Sequence, residues 1–245
     1  MRRQIQLSTH ISAKYNQELE NLKHSVLTMG GVIEQQLVNT LVALTENAPS
    51  LAERVALNDS RVDSMETQVE QECMRIIAKR NPTAGDLRLV MTVSKAATDL
   101  ERMGDEIARV AKLVTKNNIP SSDDVIAGMV DIGNRNVAMM RATFDAFARQ
   151  DDKAALFAYQ QDNAIDKAYK KILETTAKEI KSAPEDIKLW MDVLWAIRSF
   201  ERIGDRCKNI CEYVIYLTYG KNMNSSSMKK TVKKLLKQNN LSIDF

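Results

Sequence analysis

Acidic side chains recur in pairs four residues apart: Asp59/Asp63, Glu101/Asp105, Asp162/Asp166 and Glu201/Asp205. On a helix that spacing stacks both carboxylates on one face, with Cβ atoms about 5–6 Å apart. Like charges held this way repel each other, at a cost of about 0.2–0.5 kcal/mol. A cation relieves the repulsion. Where oxygen is the only donor, the fitting ions are hard and divalent: Mg²⁺, Ca²⁺ and Mn²⁺, with iron or zinc if water completes the shell.

Two of the four pairs sit inside a repeated pentapeptide. Glu101-Arg102-Met103-Gly104-Asp105 returns as Glu201-Arg202-Ile203-Gly204-Asp205, one hundred residues later. In the same register Asp86/Asp186, Leu89/Leu189, Met91/Met191, Val93/Val193, Ala96/Ala196 and Val114/Val214 are also identical. Ten identities in one register mark a duplicated unit. Glycine costs about 1 kcal/mol relative to alanine within a helix, yet each copy keeps one. At the position three after the Glu it leaves room beside the acids for a water, an anion or another backbone. The Arg one residue after the Glu points about 100° round the helix, which suits a neighbouring acid better than a metal.

The elements that must position these pairs are long helices. Apolar residues at Leu22, Val26, Met29, Ile33, Leu37, Leu41 and Leu44 step by three or four, which predicts a helix from Ser8 to Glu46, with a bend at Gly30-Gly31. A second is expected from Ser50 to Arg80, stopped by Asn81-Pro82, and a third from Thr83 to Lys116. After the loop at residues 117–122, a fourth runs from Asp123, capped by Ser122, to Gln150. A fifth follows Asp151-Asp152 to Lys181. Pro184 and the acids beside it open a sixth, which Gly220 ends after Tyr219.

Short connections between consecutive rods imply antiparallel neighbours. The expected class is therefore all-α: two tandem three-helix bundles over residues 1–119 and 120–220, with a basic, mobile tail over 221–245. Asp63 lies 19 residues before Pro82 and Glu101 lies 19 after it. Asp166 lies 18 before Pro184 and Glu201 lies 17 after it. Antiparallel packing then brings the pairs of each half to the same depth, up to four carboxylates together. The competing reading is equally simple: long solvated helices are rich in such pairs, and Asp59/Asp63 with Glu66 and Glu70 forms a wet face.

Composition narrows the class of protein. Eight Gly and four Pro in 245 residues are too few for an all-β chain. Cys73, Cys207 and Cys211 form neither a disulfide framework nor a zinc pattern, and Cys207 and Cys211 read as small buried apolar residues. Trp190, Trp195, Met191 and Leu194 read as core. No leader-like apolar region follows Met1-Arg2-Arg3, and no apolar run reaches the ~18–20 residues needed to span a bilayer; a soluble, cytoplasmic protein is expected. The net charge of +3 hides a division. Six lysines against Asp244 fill residues 221–245, leaving 29 basic and 31 acidic residues before them. That is not the basic face of a nucleic-acid binder. His10 and His24, roughly 21 Å apart along one helix, share no metal, and no phosphate-binding glycine loop is present.

With the duplicated E-R-x-G-D, the D-x-x-x-D pairs and the Asp86-Leu87-Arg88 helix start, the chain resembles the PhoU family, accessory and regulatory proteins of phosphate-specific transport. The likeness runs from the first helix through Gly220. The stretch from Ser199 to Glu212 is similar to proteobacterial members. The resemblance implies a cytoplasmic homodimer that is not an enzyme and binds divalent metal (Mg, Mn, Fe or Zn). The implied ligands are Asp59, Asp63, Glu101 and Asp105 in one repeat, and Asp162, Asp166, Glu201 and Asp205 in the other. It implies docking onto the ATPase subunit of the phosphate ABC transporter and onto the phosphate-sensing histidine kinase. The implied output is negative regulation of the phosphate-starvation response. Two readings stand beside it: a helical scaffold whose acids are incidental, and a carboxylate-bridged di-metal oxidase, which would use Glu-x-x-His motifs that this chain lacks.

Overall fold

The structure, a computed structural model, describes residues 13–116, 119–120, 122–182, 184–220 and Lys234. Among the described residues seven α-helices carry the fold: α1 (Ala13–Glu46), α2 (Pro49–Leu57), α3 (Asp59–Arg80), α4 (Ala84–Thr115), α5 (Asp123–Arg149), α6 (Asp152–Ser182) and α7 (Ile187–Tyr219), with a 3₁₀ turn at Pro184–Asp186 before the last. No strand occurs among the described residues. The lysine-rich tail that the sequence marks as mobile lies outside them, Lys234 apart, as does the start of the first expected helix.

Local chemistry fixes the helix ends. Asn47, Asn81 and Gln150 take left-handed backbone conformations with φ of 47°, 46° and 50°; asparagine tolerates that region better than most side chains. After Asn81, Pro82 cannot continue the helix. The Asp151 carboxylate accepts hydrogen bonds from the Lys153 and Ala154 amides at 2.9 and 3.1 Å, capping α6. Gly220, at φ 64°, closes α7. Ser122 does stand at the start of α5, though its side chain makes no capping bond. The second expected helix is divided: the chain breaks at Asn58 into α2 and α3, which places Asp59 at the start of a fresh helix.

Each half packs three rods. Helix α4 lies against α1, α2 and α3 in the first, and α7 lies against α5 and α6 in the second. Contacts α1–α5 and α4–α7 join the halves. Leu19, Leu22, Val26, Met29, Ile33, Leu37, Leu41 and Leu44 form the buried stripe of α1, the step of three and four predicted from the sequence. Gly30 has a packing role, since a Cβ there would stand 3.1 Å from the Phe144 ring of α5.

At the α4–α7 contact two buried acids face polar partners across the halves. Asp99 accepts hydrogen bonds from Tyr213 Oη (2.8 Å), Arg206 (3.3 Å) and Asn209 (3.3 Å). Glu106 accepts from Ser199 (2.6 Å) and Arg202 (3.0 Å), as well as from Arg109 on its own helix. Position 99 corresponds to 199 and 106 to 206. The Asp99–Arg206 and Glu106–Ser199 contacts therefore exchange under the repeat, the signature of a pseudo-two-fold axis between α4 and α7. Arg202 pairs with an acid, as expected of the Arg in the pentapeptide.

Three aromatic and apolar assignments divide. Trp190 is buried, but Trp195 is 56% and Met191 50% exposed; with Ile187 they form an outward stripe at every fourth residue of α7. Burial of Trp190, Val193 and Ile197 defines the inner face, one residue out of phase with that stripe. Cys207 and Cys211 are fully buried, and burial pushes the Cys211 thiol up to about 12.

Candidate functional site

The paired acids come together along two seams, α3 against α4 in the first half and α6 against α7 in the second. Gly104 and Gly204 explain how closely. A Cβ at Gly104 would meet Ile33 at 3.2 Å, Val62 at 3.4 Å and Asp59 Oδ1 at 3.8 Å. At Gly204 it would meet Asp162 Oδ1 and Ile165 Cδ1, each at 3.2 Å. The glycine thus opens a slot into which the neighbouring helix lays its first Asp. Because Gly104 meets Asp59 and Val62 while Gly204 meets Asp162 and Ile165, α3 and α6 correspond at an offset of 103 residues.

In the first seam, burial and the nearby Asp105 and Asp63 charges raise the Asp59 pKa, against a small pull from Lys112. Burial also pushes Glu101 up to about 7, helped by Asp105, Glu66 and Asp63 and opposed by Arg102. These mutual effects place all four expected residues, Asp59, Asp63, Glu101 and Asp105, in one electrostatic cluster. Glu66, which the sequence assigned only to a wet stripe, belongs to it as well. Among the described residues no Lys, Arg or His forms an ion pair with any of the five.

The second seam holds Asp162, Asp166, Glu201 and Asp205, and it contains cations of its own. Lys208 Nζ lies 2.7 Å from Asp162 Oδ2 and 3.3 Å from Asp205 Oδ1, with the Tyr159 ring centroid 5.8 Å away. Arg198 pairs with Glu201 Oε1 at 3.2 Å, and Tyr169 and Glu201 raise its pKa. Asp162 is 5% exposed. Burial pushes it up to about 6 even though Lys208 pulls the other way, while Asp162 and Asp205 raise Lys208 against its own burial. At neutral pH both partners stay charged, consistent with their 2.7 Å contact. Glu201 is raised by burial first and by Asp205 next, against the pull of Arg198; its Oε2 is buried without a partner.

Sequence reasoning missed Lys208 and Arg198. Their signal lies in the repeat itself: Thr98 and Ala108 occupy the corresponding places on α4. On the facing helices Tyr159 and Tyr169 stand where the first half has Ala56 and Glu66. The four differences lower the negative charge of one seam by adding two cations and removing one acid.

Oxygen donors only, several negative charges and no paired cation give the first seam the chemistry of a hard divalent site. Among the described residues no three His, Cys, Asp or Glu side chains converge closely enough to form a metal centre. His24, on α1, is exposed. No helix is long and apolar enough to cross a membrane among the described residues.

Known proteins with this arrangement are readily found. The PhoU domain model matches residues 26–114 and again 129–214, one copy for each half. The phosphate-specific transport system accessory protein PhoU of Serratia marcescens is 38% identical over 219 residues, covering 89% of this chain and 90% of that protein. Its Escherichia coli K12 counterpart is 37% identical over 216 residues, covering 88% and 90%. The crystal structure of PhoU from Pseudomonas aeruginosa superposes with a TM-score of 0.80 at 38% identity, covering 84% of this chain and all of that one. That of the phosphate transport system regulatory protein PhoU from Streptococcus pneumoniae gives 0.75 at 27% identity, covering 86% and 99%. Sequence, repeat and architecture agree, and the chain belongs to the PhoU family.

Proposed function

We propose that this protein is a non-enzymatic, cytoplasmic negative regulator of the phosphate-starvation response. In this reading it is a homodimeric adaptor between the ATPase subunit of the phosphate ABC transporter and the sensor histidine kinase. Its relatives' description as accessory proteins of a phosphate-specific transport system supports the transporter side. The observation that carries the reading is the duplicated acidic pair, set on the same seam of each half of a family fold. A divalent cation (Mg, Mn, Fe or Zn) held by Asp59, Asp63, Glu101 and Asp105 would neutralise the first seam and fix the relative position of α3 and α4, supplying a rigid docking face. Asp162, Asp166, Glu201 and Asp205 form the corresponding set of the second half.

The regulatory role is tested in a deletion strain. Alkaline phosphatase becomes constitutive in high phosphate if the reading is right, and unchanged expression refutes it. Purification from membranes with the transporter ATPase and the kinase tests the adaptor. A bare scaffold with incidental acids is the competing reading, favoured by the spread of the carboxylates. Manganese titration after chelation separates the two: no binding that depends on Asp59 and Asp105 leaves the scaffold.

A further inference from the structure

We infer that the second seam carries its own cation, the Lys208 ammonium seconded by Arg198, and that divalent metal in this chain is confined to the first seam. The inference rests on the proposed metal reading of Asp59, Asp63, Glu101 and Asp105, and it divides the eight acids that the repeat makes look equivalent.

The geometry excludes two cations in one place. Lys208 Nζ sits between Asp162 and Asp205, 2.7 and 3.3 Å from their oxygens, which is the position a bridging ion would take between α6 and α7. Like charges at that range repel strongly in a half-buried setting, so a divalent ion enters only if the ammonium leaves. Leaving is unfavourable on three counts. Asp162 is almost wholly buried, and a buried carboxylate stripped of its partner is costly. The Tyr159 face beside Nζ adds a cation–π contact. Arg198 already takes Glu201 Oε1, so a third donor is engaged too.

The first seam has no ion pair of this kind, and Lys112 acts on Asp59 only as a nearby charge. Ala108 and Thr98 stand where Lys208 and Arg198 would, and Ala56 stands where Tyr159 would. Glu66 replaces Tyr169 and adds a charge. The cation of one half is thus part of the chain itself, whereas the other half answers to the metal supply. Only the first half can then report metal availability.

Manganese bound per chain, measured on the full-length protein by equilibrium dialysis after EDTA treatment, tests this together with melting temperature with and without Mn²⁺. Lys208→Gln/Arg198→Gln should gain an additional manganese and should melt lower than wild type in EDTA but recover in Mn²⁺. Adding Asp162→Asn should abolish that recovery. In the wild type, Asp59→Asn/Asp105→Asn should remove bound manganese and Asp162→Asn/Asp205→Asn should not. Loss of wild-type manganese on the latter pair, or no gain in the Lys208/Arg198 variant, overturns the inference while the metal reading of the first seam stands. If the wild type binds no manganese at all, the metal reading falls instead, and the gain or its absence in the Lys208/Arg198 variant still decides whether those side chains hold a cation's place.

Discussion

The α3–α4 seam and the α6–α7 seam descend from one plan and have been finished differently. Both lay an Asp into a slot opened by glycine, and both set a Glu and an Asp four residues apart on the facing helix. In the first, five carboxylates stand without an ion pair among the described residues; in the second, Lys208 and Arg198 pair with three of the four, Asp162, Asp205 and Glu201. Removing water from an uncompensated cluster raises carboxylate pKa values, as Glu101 shows at about 7. Supplying an internal ammonium keeps Asp162 ionised at neutral pH despite deeper burial. Duplication thus preserves the scaffold of a site while its electrostatics diverge.

The contact shared by both halves sets the upper bound on what a single change can do. Asp99→Ala removes the acceptor for Arg206, Asn209 and Tyr213 and should lower unfolding free energy by about 3 kcal/mol, read by urea denaturation. Overpacking the slots comes next. Gly204→Val should cost about 3 kcal/mol and Gly104→Val about 2 kcal/mol, because Asp162 lies tighter against its glycine than Asp59 does. Equal costs would mean the two slots are alike after all.

Charge removal should act with opposite sign in the two halves. In metal-free protein Asp162→Asn leaves Lys208 only its longer contact with Asp205 and should destabilise by about 2 kcal/mol, whereas Asp59→Asn relieves repulsion and should stabilise by about 0.5 kcal/mol. A further effect is a matter of pH. The raised Glu101 pKa means that the folded state holds its proton more tightly than the unfolded state. Its destabilising contribution is therefore complete above about pH 7 and fades as pH falls toward the ordinary carboxylate range. Lowering pH from 8 to 6 without metal should raise the melting temperature by about 2–4 °C, and Glu101→Gln should raise it at pH 8 and flatten the response.

Fold and site were legible to different depths. The rods, their ends at Asn81-Pro82, Gln150 and Gly220, and the pairing of α3 with α4 and α6 with α7 follow from local periodicity and from counting either side of two prolines. These signals are short-range. Trp195 shows where periodicity fails: Leu189, Trp190, Met191, Leu194 and Trp195 are apolar nearly all round, so the pattern does not choose the inner face. Lys208 shows a second failure. A lysine three residues after an acid normally extends into solvent, and only the depth of Asp162 on a different helix turns it inward. Asp99 and Glu106 were invisible for a related reason, since their partners lie about one hundred residues away across the α4–α7 contact.

Anomalous diffraction from crystals soaked in Mn²⁺ locates the ion itself and so decides between the two seams. A manganese peak is expected between α3 and α4, bounded by Asp59, Asp63, Glu101 and Asp105, with Lys208 still seated on Asp162. A peak between α6 and α7 with Lys208 displaced, or none at the first seam at saturating Mn²⁺, would contradict it.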